Sequence, residues 1–184
     1  MEIERGSKDF FPPEPEIPSI ETHRPWIHAY SSSGKESIAV DYKKVGKWLL
    51  FFDQRRRSAV TGLTQHDYVW KIIKKMVEND ILYGAKCSTA LKGICEAYDK
   101  SKKGVICCYT PDYTNKQDVK RAADEIRRAV YCRYHLLYKT DNDTRAGIYK
   151  HKGDNHVCIY KHTAEGELYE RDPVFKYQWN LVNI

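Results

Sequence analysis

The sequence lacks the short motifs that mark the commonest enzyme sites. It has no Gly-rich phosphate loop, no HExxH and no GxSxG, so the commonest sequence signatures of enzymes are absent. It has no CxxC pair, and its 7 histidines do not form a ligand pattern, so we expect neither a metal nor a cofactor. His151 and His156 lie around Gly153-Asp154, where a turn with two solvated histidines and a site remain alternatives.

Long apolar runs are also missing. The longest, Trp48 to Phe52, has the length of a strand rather than of a membrane helix, which needs roughly 18 residues. The start, Met1 to Arg5, has no apolar signal core. We therefore expect a soluble protein without a membrane partner, located in the cytoplasm or in both cytoplasm and nucleus. Of the 6 cysteines, three lie in apolar strand-like runs, where a free thiol behaves as a small hydrophobe.

The composition is that of a globular chain. Its 184 residues are 41% hydrophobic and 30% charged, enough for one substantial core. Residues 1–22 carry four prolines among scattered acids, which predicts a disordered tail that is dispensable for folding. Residues 23–184 are expected to form a single domain. The net charge of +6 fits an anionic partner such as a nucleotide or RNA, or only a solvated surface.

Two helices are indicated by apolar residues at helical spacing. The first begins at Thr64, which can cap it with Asp67 three residues later, and continues to Val77. The second runs over 116–130, with Thr114 or Asn115 as its cap. Trp48, in an apolar strand, and Trp70, beside the first stripe, are expected in the core, whereas Trp26 is expected to be exposed.

Strands are predicted between and after these helices. Their ranges are 37–40, 45–52, 82–90, 105–110, 132–139, 145–150 and 156–161, with a basic loop over 54–58 and an exposed connection over 92–103. Hairpin-like strands with two interposed helices predict an α+β fold, in which a curved, mainly antiparallel sheet carries its helices on one face. The other face would be available to a ligand.

Polar groups placed inside strands are the strongest functional signal. Alternation puts Lys86 and Ser88 on one strand face, and a lysine in mid-strand either extends to solvent at an edge or meets an anion. Two strand ends supply further hydroxyl and ammonium groups that could lie beside Lys86, namely Tyr109, Thr110, Tyr138 and Lys139. His135 alternates in phase with Lys139. Arg127, at the edge of the second apolar stripe, either pairs with an acid or reaches over the sheet.

Several short motifs occur in a specific order along the chain. They are Gly46 to Leu50, a helix with Asp67 to Trp70, Gly84-Ala85, Ile106 to Thr110, a helix with Ile126-Arg127, and Tyr138 to Asp141. In this order they resemble the Bles family, named for basophilic leukaemia expressed protein, over about residues 24–161. The resemblance implies a fold like that of the cap-binding translation initiation factor. It implies a fold rather than an activity.

The same comparison shows where the chain departs from cap binders, which hold methylated guanine between two tryptophans beside a glutamate. Only 21 residues separate Trp26 from Trp48, and no Trp-Glu pair occurs, so cap binding by that mechanism is not expected. In that alignment Ser88 takes the place of a pocket polar residue, Tyr109 that of a pocket aromatic and Ala90 that of a phosphate-binding arginine. Lys86 could supply the missing charge, so the resemblance implies a pocket with a changed ligand.

Three functional hypotheses follow. The first is a binding module for a nucleotide or RNA end, with Lys86, Lys139 and Arg127 holding phosphate and Tyr109 or Trp26 stacking on the base. Ser88, Thr110 and Tyr138 would complete this pocket. The second is a metal-independent phosphoesterase acting on a nucleotide, cyclic ones included, with Lys86, Tyr109, His135 and Lys139 as acid-base candidates. The third is a protein-interaction adaptor that uses a helix face.

Overall fold

The structure, a computed structural model, describes residues 16–34, 40–91, 103–149, 153–154 and 156–184. Within these ranges the chain forms eight strands and three helices. Their bounds are Trp26–Ala29 (β1), Gly46–Asp53 (β2), Gln65–Glu78 (α1), Gly84–Ser88 (β3), Lys103–Thr110 (β4), Lys116–Ala129 (α2), Leu136–Thr140 (β5), Asp141–Arg145 (α3), Tyr160–His162 (β6), Leu168–Arg171 (β7) and Trp179–Leu181 (β8).

The eight strands form one antiparallel sheet in the order β1-β3-β4-β2-β5-β6-β7-β8. The two long helices, α1 and α2, pack on one face of this sheet, and the short α3 follows β5 at the edge of the other face. The predicted fold class, α+β with a mainly antiparallel sheet and helices on one face, is confirmed.

The core lies between the sheet and the two long helices. Alternation along β2 turns Trp48 and Leu50 toward the helices, and the Trp48 indole N–H donates to the carbonyl of Val119 in α2 at 3.0 Å. Trp48 and Trp70 are both fully buried, which confirms their assignment to the core. Leu50 of β2 and Ile73 of α1 belong to the same cluster of buried hydrophobic residues.

Both predicted helices begin where their caps indicated. The Thr64 hydroxyl accepts from the amide of Asp67, and the Asp67 carboxylate accepts from the amide of Thr64, a complete capping box that satisfies two N-terminal donors. Asn115 caps α2 by accepting from the amide of Asp118. The Asp67 carboxylate is fully buried, and its burial is tolerated because it also accepts hydrogen bonds from the amide and the hydroxyl of Ser19.

The C-terminal third departs most from the predicted strands. The strand expected over 145–150 is wrong for its described residues, 145–149: α3 ends at Arg145, and a turn with Gly147 at positive φ follows. Helix α3 itself begins after β5 because Thr140 caps it and Asp141 and Asp143 favour its first turn. The strands expected over 132–139 and 156–161 are shorter, and β1, β7 and β8 were not predicted. These three strands carry only three or four residues each, too few for a clear alternation.

Some predictions fall on residues that the structure does not describe. Most of the strand expected over 37–40 and of the connection over 92–103 lies outside the described residues, and so do residues 1–15 of the expected tail. Residues 16–22 are described, and in them the Pro18 carbonyl accepts from the amide of Ala90 while Ser19 contacts Asp67. Within the described ranges Cys107, Cys108 and Cys132 are free thiols.

The face of the sheet opposite α1 and α2 is called the open face below. Strand pairing aligns one residue from each strand in a continuous row across it. From edge to edge these are His28, Lys86, Cys107, Leu49, Leu137, Lys161, Tyr169 and Leu181. A neighbouring row contains Tyr109, Lys47 and Lys139 on adjacent strands. The pairing thus brings four lysines from distant parts of the sequence onto one surface.

Candidate functional site: a lysine-rich pocket on the open face

Three lysines converge near the middle of the open face. Lys47 of β2 lies between Tyr109 of β4 and Lys139 of β5 in the register of the sheet. Lys86 of β3 pairs with Cys107, one row away, and its ammonium also approaches the ring of Tyr109. We call Lys47, Lys86, Lys139 and Tyr109 the lysine pocket.

The ammonium groups are unusually buried for lysines. Lys47 and Lys139 are each only 3% exposed, and Lys86 is half-buried. Burying a cation is costly unless it is paired and hydrogen-bonded. Lys47 Nζ lies 2.5 Å from Asp141 Oδ1, and Lys139 donates to the carbonyl of Ile148. Among the described residues these three lysines have one carboxylate partner, so the pocket keeps an excess of positive charge.

Aromatic rings surround these charges. Lys86 Nζ lies 4.4 Å from the centre of the Trp26 ring and 6.0 Å from that of Tyr109. Lys47 Nζ lies 5.5 Å from the Tyr109 ring, and Lys139 Nζ lies 3.9 Å from that of Tyr149. Such contacts stabilise a cation by roughly 0.5–2 kcal/mol, which offsets part of its desolvation but does not neutralise it.

The electrostatics follow from this burial. Burial lowers the pKa of Lys86, and the Lys47 ammonium lowers it further. Burial and the same Lys47 charge lower the pKa of Lys139. Burial also raises the pKa of Tyr109 well above its ordinary range, so this phenol stays protonated. An anion in the pocket would relieve the repulsion between the ammonium groups and restore the pKa of both lysines.

Cys107 lies between Lys86 and Leu49 on the floor of the pocket and is 3% exposed. Burial raises the pKa of its thiol, against the opposing effect of the Lys47 and Lys86 charges. A protonated and buried thiol is a poor nucleophile. Cys107 therefore contributes an apolar floor to the pocket.

The tight turn from β5 into α3 completes the pocket. The Asp141 amide donates to the carbonyl of Val45, which holds the start of α3 beside β2 and brings the Asp141 carboxylate to Lys47. After α3, Tyr149 comes back over Lys139. Helix α3 thus positions Asp141, and the turn that follows it, where a strand was expected, positions Tyr149.

Three predicted site residues lie on the other side of the sheet. Tyr138 is fully buried on the helix-packed face, where its hydroxyl lies 2.5 Å from that of Thr110. Arg127 donates from Nε to His162 Nδ1 at 3.0 Å, and its other nitrogens donate to the carbonyls of Cys132, Tyr134 and His162. The structure does not bring these residues to Lys86, because Tyr138 and Thr110 face the helices and Arg127 belongs to α2.

Two further candidates are not presented to a ligand in the pocket, for different reasons, although Ser88 lies opposite Trp26 in the sheet. Ser88 is 1% exposed and its hydroxyl accepts from the amide of Val105, so it closes the pairing of β3 with β4. His135 is exposed and precedes β5, four residues and thus about 13 Å along the chain from Lys139. Of the residues predicted, Trp26, Lys86, Tyr109 and Lys139 are brought together.

Sequence reasoning missed Lys47, Asp141 and Tyr149. Lys47 could have been found, because it stands in an apolar strand run as Lys86 does. Asp141 and Tyr149 carried no such signal, since the segment between them was expected to be extended.

A metal site is not indicated in the part of the chain that the structure describes, because no three His, Cys, Asp or Glu side chains are grouped there. No helix within the described ranges is long and apolar enough to cross a membrane. A shallow groove of about 250 Å³ lies along α2 beside Ile184, but its charged residues pair with one another, as Lys120 does with Asp124. The lysine pocket is therefore the stronger candidate.

Comparison with solved structures finds cap-binding initiation factors. Caenorhabditis elegans eIF4E-3, in complex with the 4E-binding protein Mextli, is 17% identical with a TM-score of 0.41 over 56% of this chain and 57% of the other. A schistosome eIF4E, complexed with m7GpppA and 4E-BP, is 13% identical with a TM-score of 0.42 over 58% and 54%. The alignments thus span little more than half of each neighbour's length.

Sequence comparisons add the family. No curated protein matches the chain. The model of the family described as basophilic leukemia-expressed protein Bles03 matches residues 37–143, a segment that begins ahead of β2 and ends within α3. It includes Lys47, Lys86 and Lys139. Because this match covers more than half of the 184 residues, the chain belongs to the Bles03 family.

Proposed function

We propose that the lysine pocket binds the phosphate of a nucleotide or of an RNA end, and that the protein is a binding module for such a ligand. The single observation that carries this proposal is the charge balance. Among the described residues only one of the three lysines forms an ion pair, that of Lys47 with Asp141. Lys139 donates to a carbonyl, and Lys86 lies against aromatic rings. Buried cations are normally paired, so an uncompensated excess favours an anionic ligand.

The rings around the pocket support a nucleotide over a bare phosphate. Trp26 and Tyr109 flank Lys86 on one side, and Tyr149 lies against Lys139 on the other. Lysines hold phosphates as point charges, while flat aromatic rings stack on bases at about 1–3 kcal/mol per base. This combination of cations and rings is typical of surfaces that bind nucleotides.

The phosphoesterase hypothesis has less support in the geometry. It requires acid-base groups near the phosphate, but His135 lies away from Lys139 and the Tyr109 phenol is held protonated. Lys86, with its lowered pKa, remains the available base. The adaptor hypothesis would use a helix face and needs no ligand in the pocket.

A calorimetric titration tests the proposal. The protein is titrated at low salt with nucleoside monophosphates and diphosphates, with cyclic nucleotides and with the matching nucleosides, while product formation is followed by chromatography. We expect saturable binding of the phosphorylated ligands, weak or no binding of the nucleosides, and no product.

The matched variants are Lys47→Met in the pocket and Lys71→Met on the exposed surface of α1. We expect Lys47→Met to weaken nucleotide binding about tenfold, as loss of a charged hydrogen bond does, and Lys71→Met to leave it unchanged. Turnover would support the phosphoesterase. An equal loss of nucleotide affinity in both variants, or no binding by the native protein, would reject the lysine pocket as the binding site.

A further inference from the structure

A second group of cations and rings lies at the far end of the open face. Lys161 Nζ of β6 is 4.6 Å from the Tyr169 ring and 5.0 Å from the Trp179 ring. The guanidinium carbon of Arg171 lies 4.1 Å from the centre of the same Trp179 ring. We call Lys161, Tyr169, Arg171 and Trp179 the distal cluster.

The distal cluster also carries uncompensated charge. Among the described residues Lys161 has no carboxylate partner, and Arg171 donates to the carbonyls of Cys158 and Lys176 and lies 3.1 Å from His156. A carboxylate does lie nearby, because the Tyr169 hydroxyl donates to Glu167 Oε2 at 2.9 Å. That carboxylate is bound by the phenol, and no described residue forms an ion pair with Lys161 or Arg171.

The sheet connects the distal cluster to the lysine pocket without a break. Lys161 pairs with Leu137, and Leu137 pairs with Leu49 beside the pocket. Leu137 is 37% exposed, so the connection is an apolar floor open to solvent. The open face therefore presents cations and rings, then apolar surface, then cations and rings again.

The length of this surface exceeds that of a mononucleotide. Four strand spacings separate β3, with Lys86, from β6, with Lys161, and at about 4.8 Å each they span about 19 Å. The step from β6 to β8, with Trp179, adds about 10 Å. Single-stranded nucleic acid binders combine a basic groove with stacking rings, and site sizes begin at about 4 nucleotides.

We propose that the open face binds single-stranded nucleic acid, with a terminal or internal phosphate in the lysine pocket and the chain continuing over Leu49 and Leu137 to the distal cluster. This proposal rests on the proposed function of the pocket. The rings of Trp26, Tyr109 and Trp179 favour bases over the side chains of an acidic peptide. A duplex does not fit, because its bases are already stacked and paired while Lys47 and Lys139 are recessed at 3% exposure.

A length series tests the proposal. Oligouridylates of one, two, four and six nucleotides with a 5′-phosphate, and the deoxy hexamer, are titrated at two salt concentrations. The hexamer should bind at least tenfold more tightly than the mononucleotide. Lys161→Met and Trp179→Ala should weaken the hexamer about tenfold and leave the mononucleotide unchanged. Lys161→Met should also reduce the salt slope of hexamer binding by about 0.7, the value for one lost phosphate contact on a single strand.

Matched controls and the remaining outcomes separate this proposal from that of the pocket. Lys71→Met and Tyr131→Ala, both exposed and away from the distal cluster, should leave hexamer binding intact. A hexamer that binds no better than the mononucleotide overturns the extended surface and leaves the pocket standing. Absence of binding by both overturns the pocket itself. Equal binding of an RNA duplex or of polyglutamate overturns the single-stranded assignment.

Discussion

Lys86 Nζ lies 4.4 Å above the ring of Trp26, on neighbouring strands whose residues are 60 positions apart in the sequence. The contact forms because β1 adds to the edge of the sheet beside β3, with Trp26 opposite Ser88 and His28 opposite Lys86. Trp26 is thereby half-buried, although the sequence predicted an exposed ring. The contact gives the lysine pocket one of its walls.

Replacement of Lys86 by methionine should separate ligand binding from stability. The change removes a partly desolvated cation next to Lys47, so the free energy of unfolding should stay equal or rise. Affinity for a phosphate-bearing ligand should fall by about 1–3 kcal/mol, the range for a charged hydrogen bond. Urea unfolding and calorimetry measure the two effects, with Lys71→Met as control. A sharp loss of stability with unchanged affinity would show that Lys86 is structural.

Replacement of Asp141 by asparagine should strengthen ligand binding, whereas replacement of Lys86 weakens it. It removes the carboxylate 2.5 Å from Lys47, so affinity for phosphate should rise severalfold. Stability should fall by about 1–3 kcal/mol, less than for a fully buried pair, because the Asp141 side chain is 19% exposed. The double change Asp141→Asn with Lys47→Met should recover part of this loss. If the two single effects on stability simply add, the pair does not interact.

Because the pKa values of Lys86 and Lys139 are lowered, we expect ligand binding to weaken at a lower pH than the ordinary lysine pKa would predict. Phosphate binding needs the ammonium form, so affinity should fall as the pH rises through the lowered pKa values, before the ordinary lysine value of 10.5. In the same window the unfolded chain binds more protons than the folded one, so the stability advantage of Lys86→Met over the native chain should shrink. Titrations from pH 7 up to the ordinary lysine value of 10.5 measure both trends. An affinity that stays constant over this range contradicts the assignment.

Replacement of Trp48 or Trp70 by alanine should cost about 3–5 kcal/mol, as for a fully buried aromatic. Tyr68→Ala in α1 is the matched control, because this ring is 59% exposed and its loss should cost less than about 1 kcal/mol. Denaturant midpoints measure the difference. A Trp48 variant that stays stable but loses ligand would place that ring in the site instead of the core.

The N-terminal tail can be divided by truncation. Removal of residues 1–15 should leave the melting temperature unchanged, as the sequence predicts for the whole tail. Removal through Thr22 also deletes the hydrogen bonds that Ser19 donates to Asp67 and the one it accepts from Arg57, so we expect the melting temperature to fall by a few degrees. Ser19→Ala in the full chain should reproduce part of this fall. Equal melting of both truncated chains would assign all of residues 1–22 to a dispensable tail.

The sequence by itself determined the two long helices, the central strands and the core tryptophans. Local signals suffice for these, because the Thr64 capping box, the helical apolar stripes and the apolar run of β2 act within a few residues. The mid-strand lysine also indicated an anion site, since burial of a cation is costly wherever the strand lies.

Only the tertiary structure decided which side chains meet. Lys86, Thr110 and Tyr138 carry comparable signals in the sequence, yet strand pairing turns Lys86 to the open face and the other two toward the helices. One residue of shift in register reverses the face of every side chain, and register is set by contacts between distant strands. For the same reason Lys47, Asp141 and Trp26 became neighbours of Lys86 through the sheet and α3, and no local pattern could predict that these residues would meet.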